Sequence, residues 1–351
     1  MSTPAGGTPL ERESGATGAE PPTSGRAGRR DRKKEARTSA GVEGRSPLRI
    51  AADRLLHDKV ALLCLVIVGI FVFLAVFAGV ICDLVGVSLE RGRPTEVLDI
   101  TTLLPLEGPP NGGFDPDHPF GLAPQSGNDN LAFWLYGART SLSVAGMATL
   151  FATLIGVTLG LLAGFLGGWV DRIVSFVIDF FLTIPFLLAA LVLAPIINQR
   201  FAINPELYAR VQFWGLVAIL AGFGWMSVAR LVRGEVLSLR EREFVQAARV
   251  LGMPTRRILT KELLPNLAAP IVVSVSLMLP VFVASEAALA YLGLGITTGQ
   301  SWGQTILRAT QYFELYPLFL WQPLIGIVVL VIALNLLGDA IRDALDPKTR
   351  R

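Results

Sequence analysis

The stretch EFVQAARVLGMPTRRILTKELLPN, residues 243–266, lies between two long apolar runs at about 213–233 and 269–292. Each run has the roughly 20 apolar residues that a helix needs to cross about 30 Å of hydrocarbon. The stretch between them is charged, and charged side chains are costly inside a bilayer. The sequence therefore predicts two membrane-spanning helices joined by a polar connection outside the membrane.

The composition predicts a membrane protein along most of the chain. Hydrophobic residues make up 52% and charged residues 17% of the 351, and the mean hydropathy is +0.54, which exceeds what soluble domains carry. Apolar stretches long enough to span lie at about 60–82, 141–166, 173–196, 213–233, 269–292 and 320–341. Because a lone segment in lipid must satisfy its own backbone, the predicted fold class is an all-α integral membrane protein with six transmembrane helices.

The distribution of Lys and Arg predicts the orientation, since these residues collect in cytoplasmic loops. With the N-terminus inside, the cytoplasmic pieces hold 25 of the 31 basic residues. The pieces are residues 1–59, Arg172, the stretch from Arg230 to Lys261, and the end from Arg342. Both termini are therefore predicted to be cytoplasmic.

The predicted organisation has five parts. They are a disordered basic tail (1–47), an interfacial segment with the first span (48–82), an extracytoplasmic loop (83–140), a transmembrane domain (141–341) with a cytoplasmic loop at 234–268, and a cytoplasmic tail (342–351). The first tail is too polar to fold alone. Its basic run could attract anionic lipid headgroups or nucleic acid, but a solvated tail that sets topology is the favoured interpretation. No nucleic-acid partner is expected.

Several chemistries are not expected of this chain. Cys64 and Cys82 lie 18 residues apart on one predicted helix, about 27 Å at 1.5 Å per residue, so they are predicted to be packing residues. His57 and His118 fall on opposite sides of the membrane, so they cannot share a metal. The phosphate-binding loop of ATPases does not occur in the sequence. We expect no catalytic residue, metal or cofactor in this chain.

Three glycines recur every fourth residue in the second span, at Gly156, Gly160 and Gly164. This spacing lets a neighbouring helix approach closely. Close helix packing and a gating hinge both fit the pattern.

The polar connection has a helical pattern of its own. The predicted helix opens with Arg240, Glu241, Arg242 and Glu243, which are too polar for lipid. Phe244, Ala247, Ala248 and Leu251 follow the spacing i, i+3, i+4, i+7 and predict an apolar face that needs a partner. Gly252 can end the helix in the left-handed conformation, and Pro254 suits the first turn of a second helix. The alternative is a hairpin whose helices pack only on each other.

This segment resembles a known signature. Gln246-Ala247-Ala248, Gly252 and Leu264-Pro265 are similar to the EAA loop of ABC importer permeases. From about residue 48 onward the chain resembles the C-type permease subunits of dipeptide and oligopeptide ABC importers. The further motifs are His118-Pro119-Phe120-Gly121, Tyr136 to Leu142, Gly167 to Arg172, Ser285-Glu286 with Tyr291 to Gly295, Ser301-Trp302-Gly303, and Asp339 to Pro347.

The resemblance implies a type I ABC importer permease fold in a prokaryotic cell membrane. It implies a second homologous permease, two ATP-binding subunits that use ATP and Mg, and an extracytoplasmic substrate-binding protein as partners, besides the lipid bilayer. Contact with the ATPase would be made by Glu243, Gln246, Ala247, Ala248, Arg249, Gly252 and Arg256. Arg257 can join Arg249 and Arg256 at the rim of that contact.

The chain departs from the family pattern at two places. The Glu of the EAA signature is Gln246, and Arg249 or Glu243 can compensate for the lost charge. After His118-Pro119-Phe120-Gly121 the usual Thr-Asp-x-x-Gly-Arg-Asp is replaced by residues 122–130, LAPQSGNDN. The second departure bears on the outer surface and on the substrate class.

Glu286 is the acidic residue singled out inside a predicted span, near the outer end of the fifth. Ionisable groups at such depth are functional candidates by default. A structural hydrogen bond and contact with a transport pathway both fit Glu286.

The expected function is an ATP-driven importer permease for di- or oligopeptides, without an ATPase of its own. Nickel chelates, glutathione and oligosaccharides are alternative cargoes. A secondary carrier, half of an ABC exporter and a membrane scaffold are alternatives of other classes. Mid-membrane carboxylates would favour a carrier, and a co-purifying ATPase separates a permease from a scaffold.

Overall fold

A computed structural model describes residues 47–89, 94–201, 205–297 and 299–346, and the predicted basic tail lies outside them except for Pro47. The described chain is helical. Its helices are α1 (Pro47–His57), α2 (Lys59–Val76), α3 (Ala78–Val85), α4 (Pro94–Val97), α5 (Asn130–Leu166), α6 (Gly168–Leu182), α7 (Phe186–Phe201), α8 (Pro205–Leu239), α9 (Glu243–Val250), α10 (Thr255–Arg257), α11 (Leu264–Asn266), α12 (Ala268–Tyr291), α13 (Trp302–Ala309) and α14 (Pro317–Leu345).

Among the described residues, five helices are long and apolar enough to cross a membrane, namely α2, α5, α8, α12 and α14. Helices α5, α8, α12 and α14 each match one predicted span, whereas the first predicted span, 60–82, is divided at Phe77 between α2 and α3. The helices are longer than predicted in two cases, because α5 begins at Asn130 and α8 ends at Leu239. The segment before the first span forms α1.

The prediction of one straight helix over 173–196 is wrong. Helix α6 ends at Leu182, α7 begins at Phe186, and the two axes differ by 86°. Pro185 has no N–H to donate and disfavours the helical conformation of the residue before it, Ile184. The break at residues 183–185 therefore divides this part of the chain into two half-length helices.

An aromatic side chain fills the inside of the bend. The ring of Phe223 in α8 lies 5.9 Å, centroid to centroid, from the ring of Phe181 and 5.9 Å from that of Phe186. One residue of α8 thus contacts both arms, so the bend is packed against the rest of the bundle.

Helices α5 and α8 form the most extensive helix pair among the described residues. We call their contact the glycine–valine seam, which consists of Gly156, Gly160 and Gly164 against Val228, Val232 and Val236. A Cβ atom at Gly160 would lie 2.7 Å from the carbonyl oxygen of Ala229, too close for any side chain. Close packing, one of the two predicted roles of these glycines, is confirmed.

The register of the seam also shows the direction of the helices. Residue numbers rise together on both sides, from Gly156 beside Val228 to Gly164 beside Val236, so α5 and α8 are parallel. Because they are parallel, α5 and α8 both begin on the same side of the membrane. The bent pair α6–α7 between them must return the chain to that side, and together it counts as the sixth crossing.

The segment 98–129 packs over one end of the bundle. The carbonyl oxygen of Phe120 accepts hydrogen bonds from Asn130 Nδ2 at 3.1 Å, Gln322 Nε2 at 2.8 Å and Tyr316 Oη at 3.3 Å. Tyr316 and Gln322 lie at the start of α14, and Asn130 is the first residue of α5. This carbonyl therefore fixes the segment to two spans at once.

Asp129 links the same segment to α5. Its Oδ1 accepts from the backbone N–H of Leu131 at 2.7 Å and caps the helix, while Oδ2 lies 2.7 Å from His118 Nδ1. A capping carboxylate satisfies N–H groups that have no partner within the helix. Cys64 lies in α2 and Cys82 in α3, on two helices where the sequence predicts one. Both are buried and unbridged, as expected of packing residues.

Candidate functional site

The charged connection between α8 and α12 is the first candidate site, and its short helix α9 is called the docking helix below. The docking helix begins at Glu243, so the prediction that Arg240 opens it is wrong, and residues 240–242 form a turn before it. It ends at Val250, and Gly252, two residues later, has a φ of +71°. The Met253 N–H donates to the Ala248 carbonyl at 3.0 Å. The predicted left-handed end of this helix is confirmed.

The docking helix has one buried and one exposed apolar face. Val245 and Ala248 are buried within the chain, whereas Phe244, Ala247 and Leu251 are exposed, the last with 82% of its surface. The predicted face is thus divided, because Ala248 belongs to the buried side. The exposed side keeps the spacing i, i+3, i+7.

The buried side packs on the chain that follows. Val245 and Ala248 belong to one apolar cluster with Ile258 and Leu263. Ile258 and Leu263 begin and end a π-helical turn that joins α10 to α11. Pro254 directly precedes α10 instead of lying in its first turn. A self-packed hairpin therefore describes half of this segment, and the other half remains open.

Three contacts attach the docking helix to the membrane helices. The Arg249 guanidinium lies 4.7 Å from the centroid of the Phe165 ring at the end of α5. Gln246 Nε2 donates to the Arg240 carbonyl at 3.1 Å, and Arg240 Nη1 donates to the Gly164 carbonyl at 3.1 Å. The helix is therefore fixed to the end of the glycine–valine seam.

The other predicted contact residues have open side chains. Glu243 lies in the first turn of the docking helix, where a carboxylate interacts favourably with the helix dipole. Glu243, Arg256 and Arg257 are exposed, as are Gln246 and Gly252. Arg249 is exposed too, but its guanidinium already contacts Phe165.

A cavity of about 470 Å³ between α7, α8 and α12 is the second candidate site. Its walls are apolar apart from three hydroxyl groups, those of Ser227, Ser274 and Ser285. None of the described residues that line it carries a charge. The cavity can accommodate apolar groups of different shapes, and its hydroxyl groups can hydrogen-bond to polar groups of a ligand.

Glu286 lies next to that cavity but does not line it. The residue has no exposed surface, and its carboxyl group faces the hydroxyl groups of Ser141 and Ser301. Neither carboxyl oxygen has a hydrogen bond of ordinary geometry to the described residues. This position at the junction of α5, α12 and α13 favours a structural role, and a contact with the pathway stays a prediction.

Two ion pairs join α6 to α8. Arg233 donates to both carboxylate oxygens of Asp171, through Nη2 at 2.8 Å and through Nε. Arg230 Nη2 donates to Asp179 Oδ1 at 2.8 Å, and both of these side chains are largely exposed. Asp179 lies within the third predicted span, and the sequence analysis missed it when it singled out Glu286. The letter D in FVIDFFL, residues 176–182, was the available signal.

Comparison with known proteins identifies the family. Residues 156–351 match the family model of the binding-protein-dependent transport system inner membrane component. The chain belongs to this family. Residues 46–84 match the N-terminal transmembrane domain of oligopeptide transport permease C. The chain is therefore a multi-pass protein of a bacterial inner membrane.

Several characterised permeases are similar over most of the chain. The dipeptide transport system permease protein DppC of Alkalihalophilus pseudofirmus is 34% identical over 306 residues, 87% of this chain and 91% of the relative. The oligopeptide transport system permease protein OppC of Salmonella typhimurium is 32% identical over 311 residues, which are 88% of this chain and 94% of the relative.

Two matches are less extensive. OppC of Mycobacterium tuberculosis is 40% identical over 143 residues. The match covers 40% of this chain, and this chain therefore spans about half, 48%, of that relative. The inward-facing MetNI methionine ABC transporter is similar in structure, with a TM-score of 0.48 and 21% identity over 61% of this chain and 96% of the other.

Proposed function

We propose that the chain is the permease subunit of an ATP-driven importer and that it translocates di- or oligopeptides. A separate substrate-binding protein delivers the cargo, a second homologous permease completes the pathway, and two ATP-binding subunits supply the energy from ATP and Mg. The relatives named for dipeptide and oligopeptide transport support this proposal over cargoes such as nickel chelates, glutathione or oligosaccharides.

The observation that carries the proposal is the exposed face of the docking helix. Phe244, Ala247 and Leu251 are apolar and open on a segment that lies outside the spans. Exposed apolar surface of this kind is typical of a protein contact. The small side chain of Ala247 lets a partner approach closely at the centre of that face.

The coupling follows from how the docking helix is attached. A ligand can shift a conformational equilibrium only through contacts that differ between the two states. When ATP closes the two ATP-binding subunits, the docking helix moves with them. Arg249 and Arg240 then transmit the movement to Phe165 and Gly164 at the end of the seam.

The cavity between α7, α8 and α12 supports a peptide as cargo. Peptides share one polar backbone and differ in their side chains. The hydroxyl groups of Ser227, Ser274 and Ser285 suit the shared backbone, and the uncharged walls do not select among side chains.

The deciding experiment is co-purification of the chain with its co-expressed neighbours, followed by ATP hydrolysis in lipid nanodiscs. We expect an associated ATPase whose activity rises when binding protein and a peptide are added together. Nickel chelate, glutathione and an oligosaccharide serve as competing cargoes. Stimulation by one of these compounds in place of peptide would support the permease function but identify a different substrate.

The docking helix is tested in the same assay with Ala247→Trp. The bulky side chain keeps the partner at a distance, so we expect the stimulation to be lost while the protein still folds. Ala52→Trp, at an exposed position of α1 on the same predicted side, is the matched control. If Ala247→Trp retained full stimulation, or if no ATPase co-purified with the wild type, the proposal would be wrong.

A further inference from the structure

A second groove lies on another side of the bundle from the cavity described above. It has a volume of about 410 Å³ and runs between α2, α5 and α12. Its apolar walls include Val72 and Val76 of α2, Leu142 of α5 and Leu279 of α12. Val72 and Val76 are strongly exposed, so the groove opens on the side where α2 faces its surroundings.

One end of this groove carries a cation without a counter-charge. Arg139 is exposed and forms no ion pair or hydrogen bond with the described residues. It lies just before the apolar run that begins at about residue 141, at the boundary of the membrane. A charged side chain at this depth is costly unless an anion or water satisfies it.

The groove descends from Arg139 along one face of α5. Leu142, Ser143 and Gly146 follow at i+3, i+4 and i+7, so they lie below it in one stripe towards the membrane centre. Gly146 has no side chain, and an added Cβ atom would meet nothing within 4 Å. The groove therefore has open space beside Gly146.

From this arrangement we infer that the groove binds an anionic phospholipid. The phosphate pairs with Arg139 at the membrane boundary, and an acyl chain lies along Val72, Val76, Leu142 and Leu279 above Gly146. A cation at headgroup depth with an apolar stripe below it matches the shape and charge of such a lipid. A protein helix in the groove would bury Arg139 and would need a carboxylate at that one position.

The test uses the full chain, purified with its partner subunits and equilibrated with equal amounts of phosphatidylglycerol and phosphatidylcholine. Native mass spectrometry then identifies the last phospholipid that the complex retains. We expect phosphatidylglycerol in the wild type. Arg139→Gln should lower the preference for phosphatidylglycerol about five-fold, which at about 1.4 kcal/mol per tenfold equals the roughly 1 kcal/mol of one basic residue. Arg210→Gln, at an exposed arginine of α8, should leave it unchanged.

A second variant leaves the charge in place and fills the groove. Gly146→Leu introduces a side chain into open space, so the protein should fold and the retained lipid should be lost. Gly69→Leu, on α2 with nothing within 4 Å of the added Cβ, is the matched control and should keep the lipid.

Three results would overturn the inference. They are equal retention of the two lipids by the wild type, unchanged retention in both Arg139→Gln and Gly146→Leu, and displacement of the lipid by excess inorganic phosphate. The first would show that a partner subunit or only annular lipid covers the groove. The last would show a simple anion site. None of the three depends on which cargo the permease carries.

Discussion

The docking helix is attached close to the end of the glycine–valine seam, yet the chain covers the surfaces of these two regions to very different degrees. In the seam, the Cβ of any residue at Gly160 would clash with the Ala229 carbonyl, and Val232 is fully buried. On the docking helix, Ala247 and Leu251 remain open. The seam needs no other molecule to complete its packing, whereas the docking helix does. Stability should therefore reside in the first region and association in the second.

The largest effect should follow from breaking the seam. Gly160→Leu forces α5 and α8 apart, so we expect the free energy of unfolding in detergent to fall by about 3 kcal/mol or more, the upper range of overpacking. Unfolding can be followed with a thiol-reactive fluorophore, because both cysteines of the chain are buried. Gly146→Leu in the same helix, facing open space, should unfold at nearly the wild-type temperature. Equal loss in both variants would contradict the close packing of the seam.

A smaller loss of stability should follow from breaking the ion pairs between α6 and α8. It tests how firmly α6 is attached to the seam helices. Asp171→Asn removes a carboxylate that accepts two hydrogen bonds from Arg233, so we expect a loss of about 1–2 kcal/mol. Asp179→Asn breaks the exposed pair with Arg230, and should cost less than about 1 kcal/mol. The same thiol assay ranks the two variants. If Asp179→Asn lowered stability more than Asp171→Asn, the stronger attachment of α6 to α8 would lie near the bend at residues 183–185.

The smallest effect on folding is expected at the docking helix. Leu251→Ser changes a side chain that is 82% exposed, so the free energy of unfolding should stay within about 0.5 kcal/mol of the wild type. Association with an ATP-binding subunit, measured by co-elution, should nevertheless weaken. A clear loss of stability together with intact co-elution would reverse the comparison of the two regions.

The spans were predictable because the requirement for about 20 apolar residues depends only on local composition. The bend at residues 183–185 was not, although Pro185 was visible. Pro195, Pro280 and Pro323 also lie in apolar runs, and each is found inside a continuous helix. What distinguishes the bend is Phe223, which fills the corner from a distant part of the chain. Proline permits a break, and tertiary packing decides where one forms.

The end of the docking helix was predictable, whereas its start and its contacts were not. Gly252 marked its end, and the i, i+3, i+4, i+7 pattern marked an apolar face. The pattern could not tell that Ala248 would pack on Ile258 and Leu263, because that contact depends on how the next helical run folds back. For the same reason it could not tell that Arg249 would lie over Phe165.

The length of the seam helices has a mechanical consequence. Helix α5 has 37 residues and α8 has 35, so at 1.5 Å per residue each is more than 50 Å long, whereas the hydrocarbon layer is about 30 Å thick. Two parallel rods fastened along their sides resist bending. A push on the end that holds the docking helix should therefore change the tilt of both rods together, and the opposite end, across the membrane, should swing the other way like the far arm of a lever.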